Sequence, residues 1–176
     1  MKSYKIIVSG PFNAGKTTFI RTLCEEYIDT DKKLLKPLGE KTKTTVALDF
    51  GVVSFDNKSV RLFGTPGQKS FYFMWEVLSK KLDGYILLVD SEDVEALNEA
   101  EDLYRFFKIM IPEIPHAIGL NKYNRPGFKM EPRDVVMALS VPPSVPVLKV
   151  NARNYESALS LVKTVVKLID ERRRRR

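Results

Sequence analysis

The chain has 176 residues, of which 44% are hydrophobic and 29% charged, enough for one buried core and close to the usual size of a single domain. Its formal charge of +7 falls to +2 once the five arginines at 172–176 are set aside, so the body carries no excess that would point to nucleic acid. There is no stretch of about 18 apolar residues, no secretory leader pattern and no lipid-accepting C-terminal cysteine, and a soluble, cytoplasmic protein is expected.

Taken in chain order, "YKIIV" (4–8) predicts a buried strand, followed by a loop and a helix over 17–27. The single cysteine, Cys24, falls in that helix among Phe19, Ile20, Leu23 and Tyr27, a packing position. A 16-residue stretch, 29–44, holds Pro37 and Gly39 and shows no period, long for a loop in a compact domain. "VALDFGVVSF" (46–55), the turn "DNKS" (56–59) and "VRLF" (60–63) predict a hairpin. A helix is expected over 71–82. "GYILLVD" (84–90) and "HAIGLN" (116–121) are apolar throughout, as parallel strands covered on both faces are. Helices are expected over 96–110 and, opening at Pro132, over 132–139; "PVLKV" (146–150) and a helix over 155–171 close the chain. The alternation implies an α/β fold in three layers, with a six-stranded, mostly parallel sheet and one antiparallel edge strand.

"GPFNAGKT" (10–17) satisfies G-x-x-x-x-G-K-[ST] between a strand and a helix. In that context loop and first-turn amides converge on a phosphate, Lys16 reaches its oxygens and the Thr17 hydroxyl suits Mg²⁺. His116, the single histidine, begins a strand and is read as structural, while the aromatic run "SFYFMW" (70–75), with Phe71, Tyr72 and Trp75, is either core or a partner surface.

With the phosphate loop placed, residues 4–170 resemble the Ras-superfamily small GTPases. "TTVALDF" (44–50), "GTPGQ" (64–68), "NKYN" (121–124) and "NAR" (151–153) stand in the order of that family's motifs. The "TTVALDFG" and "FGTPGQ" strings are most similar to its prokaryotic Ras/Rab-like branch. The resemblance implies a P-loop NTPase fold over 1–171 with a basic tail at 172–176, and a Mg²⁺-dependent GTP/GDP switch that hydrolyses slowly. It implies catalytic roles for Gln68, Lys16 and Thr45, Gln68 being the chain's only glutamine. Nucleotide contacts are expected from Asn13, Ala14, Gly15, Lys16, Thr17, Thr18, Gly67, Asn121, Lys122, Asn124, Ala152 and Arg153, with the Ala152 N–H on the base oxygen. Thr17 and Thr45 are the expected metal ligands, Thr44 being the neighbouring alternative to Thr45. A regulatory or effector protein, of which roadblock-type proteins are one class, is expected at the switch segments, and the arginine tail is either a solvated helix end or a weak membrane-surface contact.

Two positions depart from the family. Gly64 stands where the second switch begins with a metal-site aspartate, which leaves the site short of a carboxylate; Asp90, ending the adjacent strand, is the first candidate to supply one and Asp49 the second. Asn124 stands where an aspartate reads guanine, and its amide offers one acceptor and one donor in place of two acceptors. The alternative is therefore a nucleotide-dependent binding module with little hydrolysis and relaxed base preference. Phe12 adds a bulky ring beside the phosphate site.

Overall fold

The computed structural model describes residues 1–24, 27–29, 49–65 and 81–175, with backbone alone at 27–29. The elements are β1 (Lys2–Ser9), α1 (Lys16–Leu23), β2 (Tyr27–Asp29), β3 (Asp49–Phe55), β4 (Lys58–Gly64), β5 (Gly84–Asp90), α2 (Ala96–Met110), β6 (His116–Asn121), α3 (Pro132–Leu139), β7 (Val147–Lys149) and α4 (Tyr155–Arg175). The sheet order is β2-β3-β4-β1-β5-β6-β7. Strands β4, β1, β5, β6 and β7 are parallel and β3 runs against β4, as expected; the three residues of β2 add a further strand outside β3. The fold is the α/β P-loop NTPase type anticipated.

Alternation along the central strands divides the core between two faces. Ile6 and Val8 of β1 and Ile86 and Leu88 of β5 pack with Phe19 and Ile20 of α1 and Leu161, Val162 and Val165 of α4. Ile7, Tyr85, Leu87 and Val89 turn the other way, onto Leu103, Tyr104 and Phe107 of α2 and Val135 of α3. All seven residues of β5 are buried, which is why "GYILLVD" has no polar alternation.

Local chemistry sets several boundaries. Asp56 and Asn57 both have positive φ (46° and 57°), making a two-residue turn that matches strand twist and pairs Phe55 with Lys58. At α3, Pro132 occupies the first turn and Glu131 and Asp134 form a reciprocal capping box. The first helix is shorter than its apolar period suggests: α1 ends at Leu23, and Tyr27 lies in β2. Cys24 is instead the extended residue that ends α1, buried over Gly51, where an added Cβ would lie 2.4 Å from its Sγ. Burial pushes its thiol up to about 11, in keeping with a packing role. At the other end of the chain α4 runs through Arg175, with Arg172 bonded to the Glu113 carboxylate (3.0 Å) and Arg173 to Asp83 (2.5 Å). Two of the arginines expected in a tail are thus seated on the body of the domain. The expected helix over 71–82 lies outside the described residues apart from its last positions.

His116 is held on three sides. Its Nδ1–H donates to the Ile114 carbonyl (2.8 Å), which leaves Nε2 to accept from the Tyr104 hydroxyl (3.1 Å), and its ring stacks on Tyr85 at 4.4 Å. Burial holds its pKa below the usual histidine value. The unfolded chain therefore binds the proton more readily, and stability present above about pH 6.5 is lost as pH falls toward the folded pKa. Denaturant midpoints measured from pH 7.5 down to pH 5 are expected to fall, and His116→Gln is expected to flatten that part of the curve.

Candidate nucleotide site

The parallel strands all end at one edge of the sheet, and β1 lies where the chain changes direction of winding, the position at which open α/β sheets place their ligands. The loop leaving β1 is shaped by two glycines. Gly10 has φ 151°, and a Cβ there would come 2.2 Å from the Leu88 carbonyl oxygen, so only glycine lets the loop lie against β5. Gly15 has φ 98° and precedes α1 without any side-chain cap, leaving the first-turn amides of the helix to face an anion.

Lys16 crosses the mouth of this loop and donates to the carbonyl oxygens of Gly10 (2.8 Å) and Pro11 (2.6 Å). Desolvation lowers its pKa to about 8. An ammonium so placed gains strongly from a bound phosphate, which offers the charge partner that the loop carbonyls supply only in part. One residue on, the exposed Thr17 hydroxyl donates to Asp49 Oδ2 at 2.5 Å. A threonine hydroxyl beside a carboxylate is a hard-oxygen donor set that fits Mg²⁺. Phe12 stands in the loop, 77% exposed.

On the far side of the loop, Asn121 is 3% exposed and joins two segments: its Nδ2 donates to the Ala14 carbonyl (2.9 Å) and its Oδ1 accepts from the Ala152 N–H (2.9 Å). The Ala152 donor assigned to the base oxygen is therefore already engaged by Asn121, a link between the phosphate loop and the last loop that the sequence did not disclose. Lys122, with φ 68°, turns its ammonium onto the buried Asp90 carboxylate. That ion pair turns the carboxylate first considered for the metal toward Lys122, while Asp49, the second candidate, is the one that meets the Thr17 hydroxyl. A cleft between these segments is lined by Asn13, Gly15 and Thr18 on one side and by Asn121, Lys122, Asn124, Ala152 and Arg153 on the other. Ala14 is buried beneath it. Residues from three separate loops thus converge on one cleft. Thr44, Thr45, Gly67 and Gln68, and the aromatic run at 70–75, lie outside the described residues.

A strand, a glycine-shaped loop carrying one ammonium, and a polar cleft beside it define a nucleotide-binding protein with a small-GTPase-like P-loop fold. The sequence matches the family described as conserved hypothetical ATP binding protein over residues 24–171, and the chain belongs to that family. It is 32% identical to ADP-ribosylation factor-like protein 3 of Saccharomyces cerevisiae over 76% of this chain and 66% of that protein. It is likewise 32% identical to an uncharacterized protein of Methanocaldococcus jannaschii, over 67% of this chain and 69% of that one. Similarity to ADP-ribosylation factor-related protein 1 of Homo sapiens is 30% over 79% and 64%. The chain spans just under two thirds of the length of the two ADP-ribosylation-factor relatives. These similarities support the small-GTPase-like family without singling out its prokaryotic Ras/Rab-like branch. The family match begins beyond the phosphate loop, so the loop stands on its own geometry.

Proposed function

We propose that the chain is a Mg²⁺-dependent GTP-binding switch that hydrolyses GTP slowly. The observation carrying this is the Lys16 ammonium, desolvated in a glycine-shaped loop directly before an uncapped helix start, with a polar cleft of suitable residues next to it. In this reading the loop amides and Lys16 grip the β- and γ-phosphates, and Gln68 orients a water whose oxygen attacks the γ-phosphorus while the bond to the bridging oxygen breaks. Thr17 and Thr45 are assigned to Mg²⁺, which when bound supplies neutralisation of phosphate charge. Gly67 is assigned to the γ-phosphate through its N–H. Nothing in the chemistry requires a nucleophilic side chain. The prokaryotic Ras/Rab-like assignment belongs to this proposal and rests on the "TTVALDF" and "FGTPGQ" strings.

A second reading is favoured by Asn124, which lines the cleft where guanine recognition calls for a carboxylate, and by the family's description as ATP binding. An amide there loses a charge-assisted hydrogen bond to guanine, on the order of 1 to 3 kcal/mol, and the product is a nucleotide-dependent binding module of relaxed base preference. Competition of labelled GTP by ATP and XTP separates the two: GTP preference supports the first, equal competition the second. Multiple-turnover phosphate release decides hydrolysis, with Gln68→Ala expected to lower it about tenfold or more; a rate already at background in the wild type leaves the binding module. Partner contact is proposed at the switch segments, and a membrane-surface contact would fall to Arg174 and Arg175, which are exposed. Among the described residues no helix is long and apolar enough to cross a membrane.

A further inference from the structure

Asp49 and Gly64 are direct partners across the β3–β4 pair. A Cβ built on Gly64 would lie 2.8 Å from Asp49 Cβ, 2.9 Å from Ile20 Cδ1 and 3.2 Å from Asp49 Oδ2. The room that a side chain at position 64 would need is therefore taken by the Asp49 side chain, whose Oδ2 holds the Thr17 hydroxyl. We infer that Asp49 supplies the metal-site carboxylate that Gly64 lacks: the acidic group has moved from the end of β4 to the facing position on β3. This rests on the proposed Mg²⁺-nucleotide site.

The chemistry follows from a hydroxyl's one proton and two lone pairs. With its proton committed to Asp49, Thr17 turns lone pairs outward for a hard cation, and the carboxylate sets negative charge beside the metal or one of its waters. The first candidate acid, Asp90, is ion-paired to Lys122. The close contact also explains the glycine: two aspartates facing each other at these distances would clash and repel, so a carboxylate on β3 calls for the smallest residue opposite.

The test reads metal dependence rather than turnover. Release of a fluorescent GDP is timed in EDTA and across a Mg²⁺ titration, and Mn²⁺ binding to the GDP complex is followed by electron paramagnetic resonance. Wild type is expected to retain GDP longer as Mg²⁺ rises. Asp49→Asn, which keeps an acceptor for Thr17 but loses the charge, is expected to weaken Mg²⁺ and Mn²⁺ binding about tenfold or more. The exchange variant Asp49→Gly with Gly64→Asp, which removes the Cβ that the new side chain would meet, returns a carboxylate to the site and is expected to restore most of the metal-dependent gain. A wild-type metal response in folded Asp49→Asn overturns the assignment and leaves the nucleotide site standing. Should Asp49→Asn not fold, Asp49→Ser decides: a folded, GDP-binding protein with the wild-type metal response overturns it. A wild type that binds no GDP at any Mg²⁺ concentration overturns both this inference and the proposed function.

Discussion

Replacing Lys16 with methionine is expected to reduce nucleotide affinity about a hundredfold or more, the loss of roughly 3 kcal/mol that a charge-assisted bond to phosphate provides in a partly desolvated site. The methionine keeps the bulk of the stem but cannot donate, so the two contacts to Gly10 and Pro11 go with the charge. The same lysine gives the wild type a pH signature. Its folded pKa of about 8 lies below the unfolded value. The unfolded chain therefore holds more protons in the window from about pH 8 to 10.4, and nucleotide-free stability rises with pH across it. Lys16→Met is expected to remove that slope. Nucleotide binding runs oppositely: above about pH 8 the free protein must take up a proton to bind, and affinity falls by up to about tenfold per pH unit. Calorimetric titrations at pH 9 in buffers of different ionisation enthalpy measure that proton directly.

Asn121→Ala is expected to cost about 2 to 5 kcal/mol of stability. It breaks both bonds that join the phosphate loop to the last loop and strands the Ala14 carbonyl and the Ala152 N–H without their partner. Both residues are buried, so neither group regains its bond from solvent at no cost. In a chain of this length the thermal midpoint should drop by roughly 5 to 15 °C. Asn121→Asp is the informative comparison. Its carboxylate still accepts from Ala152 but faces the Ala14 carbonyl with a second acceptor, so an intermediate midpoint is expected. A midpoint like the wild type's for Asn121→Ala would mean that the two loops hold their places independently.

How much of this was visible in the residues depends on whether the signal was local. The boundaries of β5, β6, α2 and α3 coincide with those expected, because each is bounded by chemistry within the segment: an apolar run closed by an acid or amide, or a proline entering a helix. The nucleotide cleft was legible for the same reason, since its residues sit at fixed offsets from strand ends. The end of α1 was not. Its apolar period continues to Tyr27, yet residues 27–29 pair with β3, and the bonds of that pairing come from sequence about 20 positions away. Arg172 and Arg173 show the same dependence: their acidic partners, Glu113 and Asp83, lie in distant loops, and no spacing rule connects them.

The sequence alone determined the kind of ligand. A glycine pair, a lysine and a threonine between a strand and a helix present main-chain donors and one cation to a phosphate wherever such a chain folds, because the requirement is met within eight consecutive residues. Tertiary structure decided which acid serves the hydroxyl of that threonine. Asp90 and Asp49 are equally acidic on paper, but Lys122 arrives at one across the ends of β5 and β6, while the Asp56–Asn57 turn sets the hairpin register that brings the other opposite Gly64. Charge partners are chosen by proximity in space, and proximity is a property of the whole sheet.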